Sequence, residues 1–181
     1  MIPIKTESSS NSYDRSLFRY ESDIDRNRYW TRAEVLQRDS LTETKIDDTG
    51  DRINIISGRW LSMYDNKSHL LAKAVQIDHL VPLKEAWESG AVGWSAVRLK
   101  AYGNDLSSPS LVVVTISLNQ IKGYQDFYEW KPPTNVCWYA QQWIAVKYRW
   151  NLAMDNLESE ALERALSGDC GSTKVELLPR P

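Results

Sequence analysis

Two apolar runs rich in β-branched residues dominate the pattern along the chain. Leu111–Ile116, reading LVVVTI, predicts a buried strand. Val75–Leu83, reading VQIDHLVPL, predicts a second, with Val75, Ile77, Leu80, Val81 and Leu83 apolar. Pro82 ends it, because proline has no amide to give a central ladder. Arg52–Leu61 alternates well enough for a strand interrupted at Ser57-Gly58, and turns are predicted at Asp47–Asp51 and Tyr64–Ser68. Thr31–Glu34 reads as a capping box with Thr31 as N-cap, opening a helix to about Arg38. Lys84–Glu88 is helix-prone with Gly90 to end it, and Ser95 can cap a helix to about Tyr102. Asn119–Asp126 leaves the second apolar strand as a short helix or turn. Cys137–Leu152 is the longest helix candidate, with Trp138, Trp143, Ile144, Val146 and Trp150 for packing. Asp155–Glu158 is a second capping box, for a helix to about Leu166 that Gly168 closes. The mixture predicts an α+β fold. A length of 181 residues suits one domain: 1–12 a flexible segment, 13–170 the domain, 171–181 a loose tail.

Inside the run Val75–Leu83 sits Asp78-His79, an acid beside a base. Neighbours on a strand face opposite ways, so both cannot enter one core unless the strand bends or ends there. An ionisable pair at the end of an apolar strand costs desolvation energy unless something uses the charges. A metal ion and a general base would use them. The order strand, crossover, strand, helix brings Asp78, His79 and Asn119 to candidate positions around one point. His79 titrates in the range needed to take a proton from water. Asp78 offers a hard oxygen ligand and Asn119 a neutral one. Lys122, one helical turn from Asn119, is placed to neutralise a phosphate oxygen. His69 follows a turn and reads as a surface residue. Glu85 reads as an exposed helix residue, and Asp23 and Asp25 as a solvated loop.

Composition narrows the partners. A net charge of -2 argues against a strongly electrostatic nucleic-acid binder, but leaves room for an enzyme that touches a few phosphates. No stretch is apolar enough to span a membrane. The polar start, Met1–Ser12, shows no signal peptide and suits a cytoplasmic protein or a mature secreted chain. Eight Trp and nine Tyr against two Phe suit groove walls as well as cores. Cys137 and Cys170 form no CxxC motif, so zinc-ligand spacing is absent. They form either one disulfide or two buried thiols.

The motifs resemble the HNH endonuclease family, in particular its small, often secreted bacterial and fungal members. The matching stretches run from Tyr13-Asp14-Arg15 through Thr31–Asp39 and Ser57–Tyr64 to Ile77–Ala91 and Tyr102–Leu106. They continue through Asn119, Lys122-Gly123, Glu129–Pro133 and Cys137–Ala140. The resemblance implies a ββα-metal (His-Me finger) core with additional helices and an N-terminal arm. It implies a metal-dependent endonuclease acting on DNA, and on RNA as a second candidate substrate, with His79 as general base. Asp78 and Asn119 would be the ligands of a divalent ion, with Mg²⁺ expected and Mn²⁺ or another transition metal as alternatives. Lys122 would contact the scissile phosphate or support the site. A backbone carbonyl or Asn104 would orient His79. Arg15 and Arg98 are the remaining candidate substrate contacts. Cys137 and Cys170 match Cys positions of secreted relatives, which favours the disulfide and an extracellular or periplasmic location. A monomer is expected, with a dimer as the alternative. Tyr124 departs from the pattern, standing where many relatives have Asp. Tyr29 and about Ile53 occupy the positions of an additional Cys pair. A non-catalytic nucleic-acid or carbohydrate binding module is the competing reading.

Overall fold

The two apolar runs pair with each other in the computed structural model, which describes residues 2–8, 12–107, 109–168, 170–171 and 174–181. Among the described residues the mixed α+β chain forms six α-helices and five strands. In order these are α1 (Thr31–Asp39), β1 (Lys45–Asp47), β2 (Asn54–Leu61), β3 (Ser68–Leu71), β4 (Val75–His79), α2 (Leu83–Glu88), α3 (Ala96–Gly103), β5 (Leu111–Thr115), α4 (Ile116–Lys122), α5 (Val136–Trp150) and α6 (Asn156–Ser167).

β4 and β5 run antiparallel in register from Val75↔Thr115 to His79↔Leu111. Their side chains alternate between two cores. Val112 and Val114 face an aromatic cluster that includes Tyr64, Tyr102, Tyr139, Trp143 and Trp150. Leu111 and Val113 face a smaller one built from Val35, Leu36, Ile55 and Trp60. A sheet covered on both faces has no polar alternation, which is why LVVVTI reads as an unbroken apolar run. α4 starts at the residue after β5 and packs on both strands.

β4 stops at His79, earlier than the apolar pattern suggests. The Leu80 amide still reaches the Ser110 carbonyl (3.1 Å), but Pro82 serves as the N-cap residue of α2. The second sheet, β1-β2-β3, is antiparallel, with irregular register around Ser57. Its outer strands were not expected, being short and each lying beside a predicted turn, which it overlaps at Asp47 or Ser68 alone. Thr31 is the first residue of α1, with Trp30 as N-cap. Its buried hydroxyl is shared between the Asn104 side chain (2.6 Å) and the Ser22 carbonyl (2.9 Å). Asp155 does cap α6, accepting from the Glu158 amide at 2.7 Å.

The chain ends lie against the body. The Lys5 amide donates to the Met154 carbonyl, the Met154 amide to the Pro3 carbonyl, and the Ser8 amide to the Glu88 carbonyl. Residues 9–11 of the Ser-rich stretch, and 172–173 of the tail, lie outside the described residues. Arg180 Nε donates to the Tyr148 carbonyl, so the tail returns to α5. Cys137, at the start of α5, is bonded to Cys170, beyond α6, across a sequence separation of 33. By the chain-entropy account a closed loop of that length contributes about 3–4 kcal/mol. Tyr29 and Ile53, the positions that the resemblance assigns to a further Cys pair, are joined by a β-bridge.

Candidate active site

A cleft of about 520 Å³ opens where β4 ends, walled by β4, α4 and the segment preceding α1. Gln76, Asp78, His79, Asn119, Gly103, Arg15, Tyr20 and Tyr124 all line it. Asp78 and His79 therefore meet one cleft despite their opposite directions, because the strand stops at His79.

The imidazole is fixed from behind. His79 Nε2 lies 2.9 Å from the Gly103 carbonyl oxygen. A carbonyl can only accept, so Nε2 carries the proton and Nδ1 keeps its lone pair. The ring stacks against Tyr102, with centroids 6.2 Å apart, and meets the edge of Tyr20 at 6.3 Å. Burial pushes the imidazole pKa down to about 4, and the Arg15 and Lys122 charges act in the same direction. His79 is therefore neutral at physiological pH, the state a general base requires.

Gly103 can present its carbonyl because it has no side chain. A Cβ there would lie 2.7 Å from the Phe18 carbonyl oxygen. Phe18 is buried and ends a short 3-10 helix, Arg15–Phe18, that Asp14 caps through the Ser16 amide. Gly103→Ala is accordingly expected to cost about 1–3 kcal/mol of stability by overpacking and to displace the carbonyl behind His79. Urea unfolding together with the nuclease assay given below measures both effects.

Asp78 is buried, and one of its oxygens is fully used. Oδ2 accepts from the Tyr64 hydroxyl at 2.5 Å and from Lys122 Nζ at 2.7 Å. Oδ1 has no protein partner among the described residues. Asn119 sits within α4, not at its N-cap, which is Thr115. Its Nδ2 donates to Gln76 Oε1 at 3.0 Å, which fixes the amide and leaves its carbonyl oxygen without a protein partner among the described residues. Two hard oxygens beside an imidazole suit Mg²⁺ or Mn²⁺ better than a soft metal.

Other candidates are placed differently. Lys122 does not reach substrate. Its side chain is fully buried, and its Nζ holds Asp78 and the His79 carbonyl (2.9 Å). Its pKa is lowered by burial, which the Asp78 charge opposes. Arg98 lies outside the cleft, donating to the Trp150 carbonyl at 2.8 Å with its guanidinium over Trp94. Asn104 does not touch His79. Its amide donates to the Arg19 and Lys100 carbonyls and accepts from the Ser22 amide, tying the arm to α3. Arg15 is at the cleft, its guanidinium 4.5 Å from the centroid of the Tyr20 ring. Glu85 is buried and faces Lys147, and is absent from the cleft lining. His69 bonds the Thr115 hydroxyl at 2.9 Å and is not a bare surface residue. Asp23 accepts from the Asn27 and Arg28 amides and so organises its own loop. Sequence reasoning did not single out Tyr64, Gly103, Gln76 or Tyr20. Tyr64 and Gly103 do fall within the blocks Ser57–Tyr64 and Tyr102–Leu106, and that position was the available signal.

Comparison with known proteins adds a family to this geometry. An uncharacterized secreted protein of Arthroderma benhamiae is 40% identical over 139 residues, covering 76% of this chain. The match spans 66% of that relative's own length, just under two thirds. No solved structure matches. Among the described residues no helix is long and apolar enough to cross a membrane. The family of GmrSD restriction endonucleases, C-terminal domain, matches residues 30–165. Tyr13, Arg15 and Tyr20 line the cleft from outside that matched region. Most of the chain, including Asp78, His79 and Asn119, falls within it, and the chain belongs to the GmrSD restriction endonuclease C-terminal domain family.

Proposed function

We propose that the chain is a metal-dependent endonuclease that hydrolyses phosphodiester bonds of DNA with little sequence preference. One observation carries the reading. The Gly103 carbonyl holds the proton on His79 Nε2, leaving Nδ1 as the basic nitrogen, and His79, Asp78 and Asn119 all line one cleft. Under this reading β4, β5 and α4 form a ββα-metal core, and His79 Nδ1 takes the proton from the attacking water. Asp78 Oδ1 and Asn119 Oδ1 would hold the divalent ion. When bound, that ion supplies the positive charge that phosphodiester cleavage needs at the leaving 3′ oxygen. Arg15, at the cleft wall, draws in a neighbouring phosphate. The Tyr20 and Tyr124 rings offer faces on which an unpaired base can stack, and this contact does not depend on sequence. RNA is the second substrate to test, since no cleft residue is committed to the sugar.

The Cys137–Cys170 bond suits an oxidising compartment. Together with the secreted relative, it supports action outside the cell. The test is degradation of supercoiled plasmid with Mg²⁺ or with EDTA. Cleavage is expected with Mg²⁺, is expected to stop in EDTA, and should return when Mg²⁺ is added in excess. Undiminished cleavage in EDTA would exclude the metal from the mechanism.

A further inference from the structure

We propose that Tyr64 is a positioning residue for the metal ligand Asp78, and that Trp130 and Thr134 serve to hold Tyr64 in place. The inference rests on the metal-site reading above and deepens it. Tyr64 is fully buried, and its hydroxyl donates to Asp78 Oδ2 at 2.5 Å. Lys122 Nζ donates to the same oxygen. The two donors come from separate parts of the chain, one just beyond β2 and the other at the end of α4. Turning the carboxylate away from this orientation would break both bonds. Asp78 is thereby fixed with one oxygen engaged and the other open.

Tyr64 is itself enclosed. Its ring meets Trp130 at 5.1 Å and Tyr139 at 5.6 Å, both edge-on. Its carbonyl accepts from the Thr134 amide (3.2 Å) and the Thr134 hydroxyl (3.0 Å). Asn135 Nδ2 donates to the neighbouring Met63 carbonyl at 2.8 Å. Trp130 thus supplies the wall on one side of Tyr64, and Thr134 and Asn135 clamp the backbone there. Burial and the nearby Asp78 charge raise the phenol pKa well above its ordinary value, so the hydroxyl stays a donor. Neither Trp130 nor Tyr64 lines the cleft, so both act on it only through Asp78.

The test is Mn²⁺ binding to the full chain without nucleic acid, followed by electron paramagnetic resonance. Tyr64→Phe keeps the ring and removes only the hydroxyl. It is expected to weaken Mn²⁺ binding by about 10- to 100-fold, the range for loss of a partner that orients a metal ligand. Its far-ultraviolet circular dichroism should match wild type. Trp130→Leu loosens the wall without touching Asp78, and is expected to shift Mn²⁺ affinity in the same direction. Wild-type Mn²⁺ affinity in folded Tyr64→Phe overturns the proposal, as does wild-type affinity in Trp130→Leu should the first variant fail to fold. A wild-type chain that binds no Mn²⁺ overturns the metal-site reading itself, and with it any positioning role for Tyr64.

Discussion

Lys147→Met is expected to lower the unfolding free energy by about 3–5 kcal/mol, the range for breaking a buried ion pair from one side. The Lys147 side chain is fully buried within α5. Its ammonium meets four acceptors: Glu85 Oε1 at 2.5 Å, Glu158 Oε2 at 2.7 Å, Ser89 Oγ at 2.8 Å and the Ala153 carbonyl at 2.9 Å. These come from α2, α6 and the turn after α5, so one nitrogen joins three parts of the helical layer. Methionine fills the volume but leaves two buried carboxylates without a counter-charge.

The loss depends on pH, with a sign that follows from the pKa shifts. Burial alone would raise the Glu85 pKa, but the Lys147 charge together with hydrogen bonds from Lys147, Ser89 and Glu7 brings the carboxyl below its ordinary 4.5. A lowered carboxylate pKa stabilises the fold above the unfolded value, and that stability fades as pH falls. Glu158 goes the other way. Burial raises it to about 7 despite Lys147, so its contribution is present below 4.5 and is lost as pH rises through 7. Without Lys147 both carboxyls would be raised, and each would oppose folding once the unfolded chain ionises. The deficit of the variant is therefore expected to grow from about pH 4.5 upward. Glu7 and Asp126 also approach Glu85. Burial and the Glu85 charge push Glu7 up to about 8, so at neutral pH it adds no further negative charge. Urea unfolding at pH 5 and pH 7.5 checks the account. A deficit below about 1 kcal/mol at pH 7.5, the level of an exposed pair, would contradict it.

How far the sequence could be read differed from residue to residue. β4 and β5 were legible because β-branched apolar residues run unbroken where a sheet is buried on both faces. Asp78 and His79 stood out against that apolar run. β1 and β3 were not legible, since three- and four-residue strands leave no period to read. A backbone carbonyl was one of two options for orienting His79, and the structure supplies that of Gly103. What selects it is the approach of Phe18, a contact between residues far apart in the chain. Lys122 was read as a contact to the scissile phosphate or a support of the site, and its buried bond to Asp78 fits the second. Its burial depends on Asp78, 44 residues away in sequence. Tyr64 carried no chemical mark at all, because a tyrosine among eight other tyrosines gains meaning only from what its hydroxyl touches.

His79→Ala is expected to reduce cleavage by about 10²–10⁴-fold, the contribution of a positioned general base. The fold should survive, since His79 is only half-buried and, among the described residues, its ring makes one hydrogen bond, to a carbonyl at the cleft. Asp78, Asn119 and their supporting bonds do not depend on the imidazole, so metal and nucleic acid should still bind. A loss confined to the chemical step would place the proton transfer at His79 and nowhere else in the cleft. No second histidine can stand in, because His69 is committed to Thr115 on the other sheet. The decisive measurement is single-turnover plasmid cleavage by wild type and His79→Ala in Mg²⁺, with enzyme in excess and circular dichroism run on both proteins. The account predicts that wild type converts supercoiled plasmid to nicked and linear forms while an equally folded His79→Ala leaves it supercoiled. Cleavage by folded His79→Ala at the wild-type rate would contradict it.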